Sequence, residues 1–417
     1  MTDNRPDDRQ PMTDTPQPPP SPRFVRGLLV TLDYWQQQTA VLNDATSRSL
    51  NPDFPNVVRA VEMGLALPET WQKTAVLILQ CFFWVEGTGH VPQWQPLVEK
   101  CLAAMPTPDN RLQFRLLKQL GQFQRIQWDL ATAVATFQQA GTLAHTLQDA
   151  HASAEIHMNL CQTYQRQHRY TQAQTEGEKA LDLFAESQPR LQATVHQTLG
   201  QIARDQGQYA VAESHFQQAL ALFQAGATVT ITDITRTMNA LAWTYQDQNK
   251  FEQAQQMYEE AGSLLAQTDK EEDKIRIAIN LGSLLYSLQT YNQAEVAFRQ
   301  ADEMLRNQPG LTELKAHNAN NLGCVLRQQQ AWEASLRYHH ESIQLFRLLG
   351  NLLPLANAIG NLGKTYLAQG VYPAALTHLA EARQLAAQFP DNAWANSQVA
   401  EYTANIAQLH QVEGLPA

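Results

Sequence analysis

Cysteine is scarce in this chain. Four residues in 417, Cys81, Cys101, Cys161 and Cys324, lie too far apart for a disulfide framework or a zinc site, which fits a reducing compartment. Long apolar runs are missing too. The opening MTDNRPDDRQ has no apolar core for a signal peptide, and no later run is long enough to span a bilayer. A basic excess is also lacking: 30 Lys and Arg against 40 Asp and Glu give a net charge of −10 and a pI near 5.6. That excludes the basic footprint of a nucleic-acid binder. No segment alternates with period two, so strands are not expected. Gly-x-Ser-x-Gly, His-Glu-x-x-His and any coherent acid/base set are absent, which points away from an enzyme. These absences together predict a cytoplasmic protein with no cofactor or metal and no nucleotide, nucleic-acid or membrane partner.

What the chain has instead is glutamine and a period. Gln occurs 51 times, and as a good helix former it predicts amide-rich helical surfaces. Gly121, Cys161, Gly200, Ala242, Gly282, Gly323 and Gly363 are spaced 40, 39, 42, 40, 41 and 40 apart. Twelve residues after each stand Ala133, Ala173, Ala212, Ala254, Ala294, Ser335 and Ala375. Nineteen after each stand Ala140, Ala180, Ala219, Ala261, Ala301, Ser342 and Ala382. All 21 positions are small, and self-similarity at such a period means stacked supersecondary units. Each unit reads as a helical hairpin. Over 353–388 a first helix carries Leu355, Ile359, Leu362 and Tyr366 and stops at Gln369-Gly370; a second carries Ala375, Leu379, Ala382 and Leu385. Small residues belong where two helix axes cross closely. Bulky Phe137, Phe216, Tyr258, Phe298 and Leu379 follow the small residue by sixteen.

The pattern divides the chain into four parts. Residues 1–22, with seven prolines and four aspartates, have too little apolar surface to order themselves. Residues 23–110 are an off-register helical region with expected helices at 24–42, 56–67, 70–86 and 93–105, broken at Pro52, Pro55, Pro68, Pro92 and Pro106. Residues 111–390 hold the seven repeats, and 391–417 hold a capping helix and tail. The expected fold is an all-α, right-handed superhelical solenoid of antiparallel helix pairs.

Leu362-Gly363, Tyr366, Ala375, Leu379 and Ala382, like Leu199-Gly200, Ala212, Phe216 and Ala219, resemble the tetratricopeptide repeat. The period of about forty exceeds that family's usual 34. This makes the chain similar to the extended repeats of kinesin light chain and Pins-type polarity adaptors. The stretch from Trp84 to Leu102 resembles the helical segment after the nucleotide-binding domain of bacterial STAND regulators. Gly177 and His339 depart from the motif at the second-helix aromatic, and Ser335 and Ser342 at the small positions. The resemblance implies a scaffold or adaptor that holds an extended, possibly acidic peptide segment of a partner protein in a concave groove. A regulatory sensor arm and an accessory subunit of an enzyme or defence complex are the alternatives.

Two decoys fall away. Gly363-Lys364-Thr365 ends like a phosphate loop, but Ala358 stands where the first glycine is needed and the segment is mid-helix. His151, Glu155 and His157 read as solvated surface, since imidazoles six apart do not share a helix face, and His339-His340 reads as a surface pair. The stronger signal lies on the first helices. Positions −6, −2, +1 and +5 from the small residue form one stripe of 28 sites, of which five are apolar: Ala240, Trp243, Cys324, Ile126 and Ala368. The family resemblance makes this stripe the groove. At −2 stand Asn159, Asn280, Asn321 and Asn361, with Gln119 and Thr198 at others and Asn405 in the terminal helix. An amide offers a donor and an acceptor together, which suits a bound backbone. Arg115, Arg166, Arg236, Arg276 and Lys364 against Glu155, Asp205 and Asp247 leave the stripe at +2, and Trp243 is the expected anchor.

Overall fold

A computed structural model describes residues 20–40, 50–184, 188–226, 230–306, 308 and 310–413. Nearly all of the leader 1–22 thus lies outside the described residues. The described residues contain helices and turns and no strand.

The chain forms two compact units, 1–119 and 120–417. The first holds α1 (Pro22–Ala40), a 3-10 turn at Asn51–Asp53, α2 (Phe54–Leu65), α3 (Pro68–Gln80), α4 (Phe82–Gly87), α5 (Val91–Ala103) and most of α6 (Asn110–Ile126). Several prolines expected to break helices start them instead: Pro55, Pro68 and Pro92 sit at first or second helical positions, where the missing N–H costs nothing. The core of this unit is aromatic, with Phe54 edge-on to Trp84 and stacked on His90 at 3.9 Å, and the Trp71 indole donating to Cys101 O at 2.9 Å.

The second unit is a right-handed solenoid of antiparallel helix pairs. It begins with the end of α6, where Gly121 meets Phe137 of α7 (Leu130–Thr146); α8 (Ala150–Arg166) then pairs with α9 (Tyr170–Leu183), and α10 (Pro189–Asp205) with α11 (Tyr209–Ala225). There follow α12 (Ile231–Asp247) with α13 (Phe251–Leu265), α14 (Glu271–Ser287) with α15 (Tyr291–Leu305), and α16 (Thr312–Gln328) with α17 (Trp332–Leu349). The last pair is α18 (Leu352–Gln369) with α19 (Tyr372–Ala386), and α20 (Ala393–Glu413) follows it.

All 21 small positions are buried, and the reason for the first set is steric. A Cβ placed on Gly121, Gly200, Gly282 or Gly323 would fall 2.6 to 2.9 Å from the ring of Phe137, Phe216, Phe298 or His339, sixteen residues on. The second hairpin inverts the arrangement. Cys161 fills the small site, its partner shrinks to Gly177, and a Cβ there would stand 3.2 Å from the thiol sulfur. His339 is therefore not the surface residue expected: it is fully buried in the aromatic slot. Ser335 is also no defect, since its hydroxyl donates to Gly323 O at 2.8 Å and ties the two helices together.

A second periodic feature sits seven residues after each small position. Trp128, His168, Gly207, Asn249, Gln289, Gln330 and Gly370 all have φ between 57° and 76°, the left-handed conformation that reverses the chain between the two helices of a hairpin. Glycine fills it twice.

Candidate functional site

The first helices of the hairpins line the inside of the second unit. A cavity of about 300 Å³ is bounded by Asn239 and Trp243 of α12, Arg276, Asn280 and Ser283 of α14, His317 and Asn321 of α16, Asn357 of α18, and Trp394 of α20. A second, of about 400 Å³, shares Ser283, Asn321 and Asn357 and adds Tyr286, Asn320, Cys324, Arg327, Asn361, Lys364 and Glu401. A third, of about 320 Å³, joins Trp128, Arg166, His168 and Gln201 of the early hairpins to Glu313, Asn351, Leu353 and Pro354 of the late ones. The polar stripe thus supplies much of the inner lining.

Trp243 is 40% exposed and Trp394 38%, both high for a large apolar side chain, and they line the same cavity. The Arg204 guanidinium lies 3.9 Å from the Trp243 ring centroid and is itself paired with Asp247 at 3.0 Å. This cation–π contact fixes the indole and leaves its remaining surface to the cavity.

The asparagines are not a row of free amides. Asn159 is buried and donates back to Glu155 O in its own helix at 2.7 Å. Asn280 donates to Asn239 Oδ1 at 2.7 Å, and Asn321 to Ser283 Oγ at 3.2 Å. Asn361, also buried, donates to Asn320 Oδ1 at 3.3 Å and Asn357 Oδ1 at 3.1 Å. Three of the four thus bond to the preceding first helix, which sits close enough for one amide to span the gap. Asn280 and Asn321 remain half-buried on the cavity wall, with their carbonyl oxygens unspent among the described residues. Asn405 is half-buried on α20, outside all three cavities.

The cations are mostly spent as well. Arg236 pairs with Asp273 at 2.8 Å and Glu272 at 3.7 Å, and Arg276 with Glu272 at 2.7 Å. Arg166 lies over the Trp128 ring at 5.4 Å and donates to Arg125 O at 3.3 Å. Lys364 pairs with Glu401 at 2.6 Å. Arg115 is exposed and belongs to the first unit. Counting charges along the stripe missed the carboxylates that neighbouring positions supply, Glu272 and Asp273 above all. The reading also missed Trp394, Asn239 and Arg327, which lie off the stripe's register.

Other groups are structural. His157 is half-buried beside Glu176 at 2.5 Å rather than simply solvated. Burial pushes His339 down to about 3, so its ring is neutral and Nδ1 donates to Asn320 Oδ1 at 3.2 Å. Among the described residues no cluster of three or more His, Cys, Asp or Glu is arranged to hold a metal ion, and no helix is long and apolar enough to cross a membrane. Gly363-Lys364-Thr365 lies inside α18, and Thr365 Oγ1 donates to Asn361 O at 2.9 Å.

Stacked antiparallel helix pairs with small residues at every crossing and a polar inner face define a helical-repeat solenoid of the interaction or regulatory kind. Tetratricopeptide repeat family models match residues 152–225 and 313–388, and a further one matches 234–261. The chain is a member of the tetratricopeptide repeat superfamily. Among solved structures, a Rap protein complexed with competence and sporulation factor is similar at TM-score 0.63 and 11% identity, over 88% of this chain and 99% of that one. The apo form of the quorum sensor NprR from B. thuringiensis is similar at TM-score 0.58 and 13% identity, over 87% and 99%. Identities this low establish a shared fold. No curated protein matches the sequence.

Proposed function

We propose that the protein is a non-enzymatic, cytoplasmic scaffold or adaptor whose inner face takes an extended segment of a partner protein. The observation that carries this reading is the placing of Trp243 and Trp394 in one amide-walled cavity. Half-exposed indoles gain most when an apolar side chain of a ligand covers them, and Trp and Arg dominate binding hot spots. The carbonyl oxygens of Asn280 and Asn321 supply acceptors for the N–H groups of an extended backbone lying alongside.

A regulatory sensor is the second reading, favoured by one contact. The His168 and Phe389 rings meet edge-on at 4.7 Å, so the second hairpin touches the segment before α20. A ligand wedged between the first helices would act on that joint.

The test is affinity capture with the full chain and with a Trp243→Ala/Trp394→Ala variant, followed by mass spectrometry and calorimetry on the captured segment. Loss of a hot-spot Trp typically costs at least about 2 kcal/mol, so the variant should bind about 30-fold or more weakly. Equal retention by both proteins moves the binding surface away from this cavity.

A further inference from the structure

Independently of the inner face, we infer that the outer face of α1 pairs with α1 of a second copy of this chain, antiparallel, to form a weak symmetric dimer. Arg23, Gly27, Val30 and Tyr34 recur at spacings of four, three and four, so they form one stripe along α1. All four are exposed, Val30 at 64% and Tyr34 at 50%, while Leu28, Leu32 and Trp35 on the other side are buried within the first unit. Phe24, 45% exposed, and Thr31 flank the stripe and wall a groove of about 450 Å³ against Arg59 and Met63 of α2. A helix that buries one apolar face normally turns polar residues to water. A second apolar face on the same helix marks an interaction surface.

Gly27 identifies the occupant as a helix. In the second unit Gly121, Gly200 and Gly282 each lie where another helix crosses, with an aromatic ring against them. A Cβ on Gly27 would meet nothing within 4 Å. The face thus has the small residue of a close crossing and lacks the crossing helix. The stripe supplies that helix itself, because reversed it is its own complement. In an antiparallel pair Val30 of the second copy enters the gap over Gly27, and Val30 enters the gap over Gly27 of the second copy. Arg23 then lies against the ring of Tyr34 of the second copy, as Arg204 lies over Trp243. The charges select the same orientation. Arg26 and Asp33 share one flank of α1, and the reversed copy brings its Asp33 beside Arg26 at both ends of the crossing. Asp33 is 45% exposed although Lys73 of α3 holds it, so it is open to a second cation. A parallel pair would instead set Arg23 against Arg23 and Arg26 against Arg26.

One helix crossing buries less than a standard interface, so a dissociation constant of about 10–100 μM is expected. Sedimentation of the full chain across that range should show monomer giving way to dimer. Val30→Glu, which brings an unpaired charge into the crossing, and Gly27→Leu, which fills the gap, should each weaken pairing roughly ten-fold or more. Arg26→Glu should weaken it several-fold, most at low salt. These residues are exposed in the single chain, so the melting temperature of dilute protein should hold, and Gly27→Leu should raise it. Loss of pairing is thereby separated from loss of folding. Cysteine cross-linking reads the orientation: Arg23→Cys mixed with Tyr34→Cys should join, and Tyr34→Cys alone should not. A chain that stays monomeric throughout overturns the pairing, as does a dimer indifferent to both Val30→Glu and Gly27→Leu, or one in which Tyr34→Cys joins to itself. Hydroxyl-radical labelling of Phe24 and Tyr34 should fall as concentration rises. Protection already complete in the most dilute sample would mean that another segment of the same chain covers α1. Full labelling at every concentration would leave the face to a different protein. Either result rules out the second copy.

Discussion

Tyr170 and Asn392, 222 positions apart, share a buried hydrogen bond in which Asn392 Nδ2 donates to the tyrosine hydroxyl at 2.9 Å. The hydroxyl also faces Asp205 Oδ2 at 3.3 Å, while Asn392 Oδ1 accepts from Ala395 N at 2.8 Å and so caps α20. One side chain thereby starts the terminal helix and fastens it to the second hairpin.

Removing the two ends of this bond should have unequal effects. Tyr170→Phe loses the bond from Asn392 together with the hydroxyl's contacts to Asp205 and His168, and orphans a buried donor, at about 1–3 kcal/mol. Asn392→Ala deletes the same bond and the helix cap, adding about 0.5–2 kcal/mol. Urea unfolding should rank Asn392→Ala below Tyr170→Phe, and amide exchange should accelerate at 393–397 in the alanine variant alone. The reverse ranking would mean that the cap, not the joint, is unimportant.

Acid should weaken the second unit through His339. Its folded value is pushed down to about 3 by burial, from 6.5. Between those values the unfolded chain binds the proton and the folded protein does not. The stability is therefore complete above pH 6.5 and falls progressively as the pH drops toward 3. At one pKa unit per 1.36 kcal/mol, about 2–3 kcal/mol should be gone by pH 4.5. His196, held down to about 4 by burial and by His215, acts in the same direction. His339→Phe restores the ring found over Gly121, Gly200 and Gly282 and should flatten this part of the curve, read as melting temperature from pH 7 to 4.5. An unchanged slope would show that His339 titrates normally.

These two sites mark what the sequence discloses and what it hides. The small residues were legible because a glycine under Phe298 is demanded by sterics and recurs at one spacing. The left-handed turns recur at the same spacing, yet only Gly207 and Gly370 announce them; Gln289 and Gln330 adopt the conformation without a residue type that signals it. The Tyr170–Asn392 bond has no local signature, since it depends on how rotation accumulates over five hairpins. The polar stripe was legible as a period, but the ion pairs that neutralise Arg236 and Arg276 come from Glu272 and Asp273, outside it. Arg327 lies one position off the register and was invisible to the pattern.

Glycine should stabilise the hairpin turns that lack it. Gln289 and Gln330 are exposed, with φ of 60° and 59°. The left-handed conformation costs a non-glycine residue about 1–2 kcal/mol, partly offset by glycine's greater freedom in the unfolded chain. Gln289→Gly/Gln330→Gly should therefore raise stability by about 1–2 kcal/mol in total. Thermal denaturation checks it, and a lower melting point would mean that these side chains hold the turns by contacts.

The inner-face asparagines should separate into a structural and an exposed class. Asn361 is buried and serves both Asn320 Oδ1 and Asn357 Oδ1, although Asn320 keeps the His339 donor. Asn361→Ala should cost about 1–3 kcal/mol by leaving a cavity and a short-changed acceptor. Asn280 is half-buried and spends one N–H on Asn239, so Asn280→Ala should cost less, about 0.5–1.5 kcal/mol. Its carbonyl oxygen is the part left for a ligand. With a captured partner segment in hand, calorimetry on Asn280→Ala should show weaker binding at nearly constant fold, whereas Asn361→Ala should act on unfolding first. Equal and small stability losses at both positions would return Asn361 to the ligand-facing row. Full affinity in Asn280→Ala would remove the amides from recognition and leave it to the tryptophans.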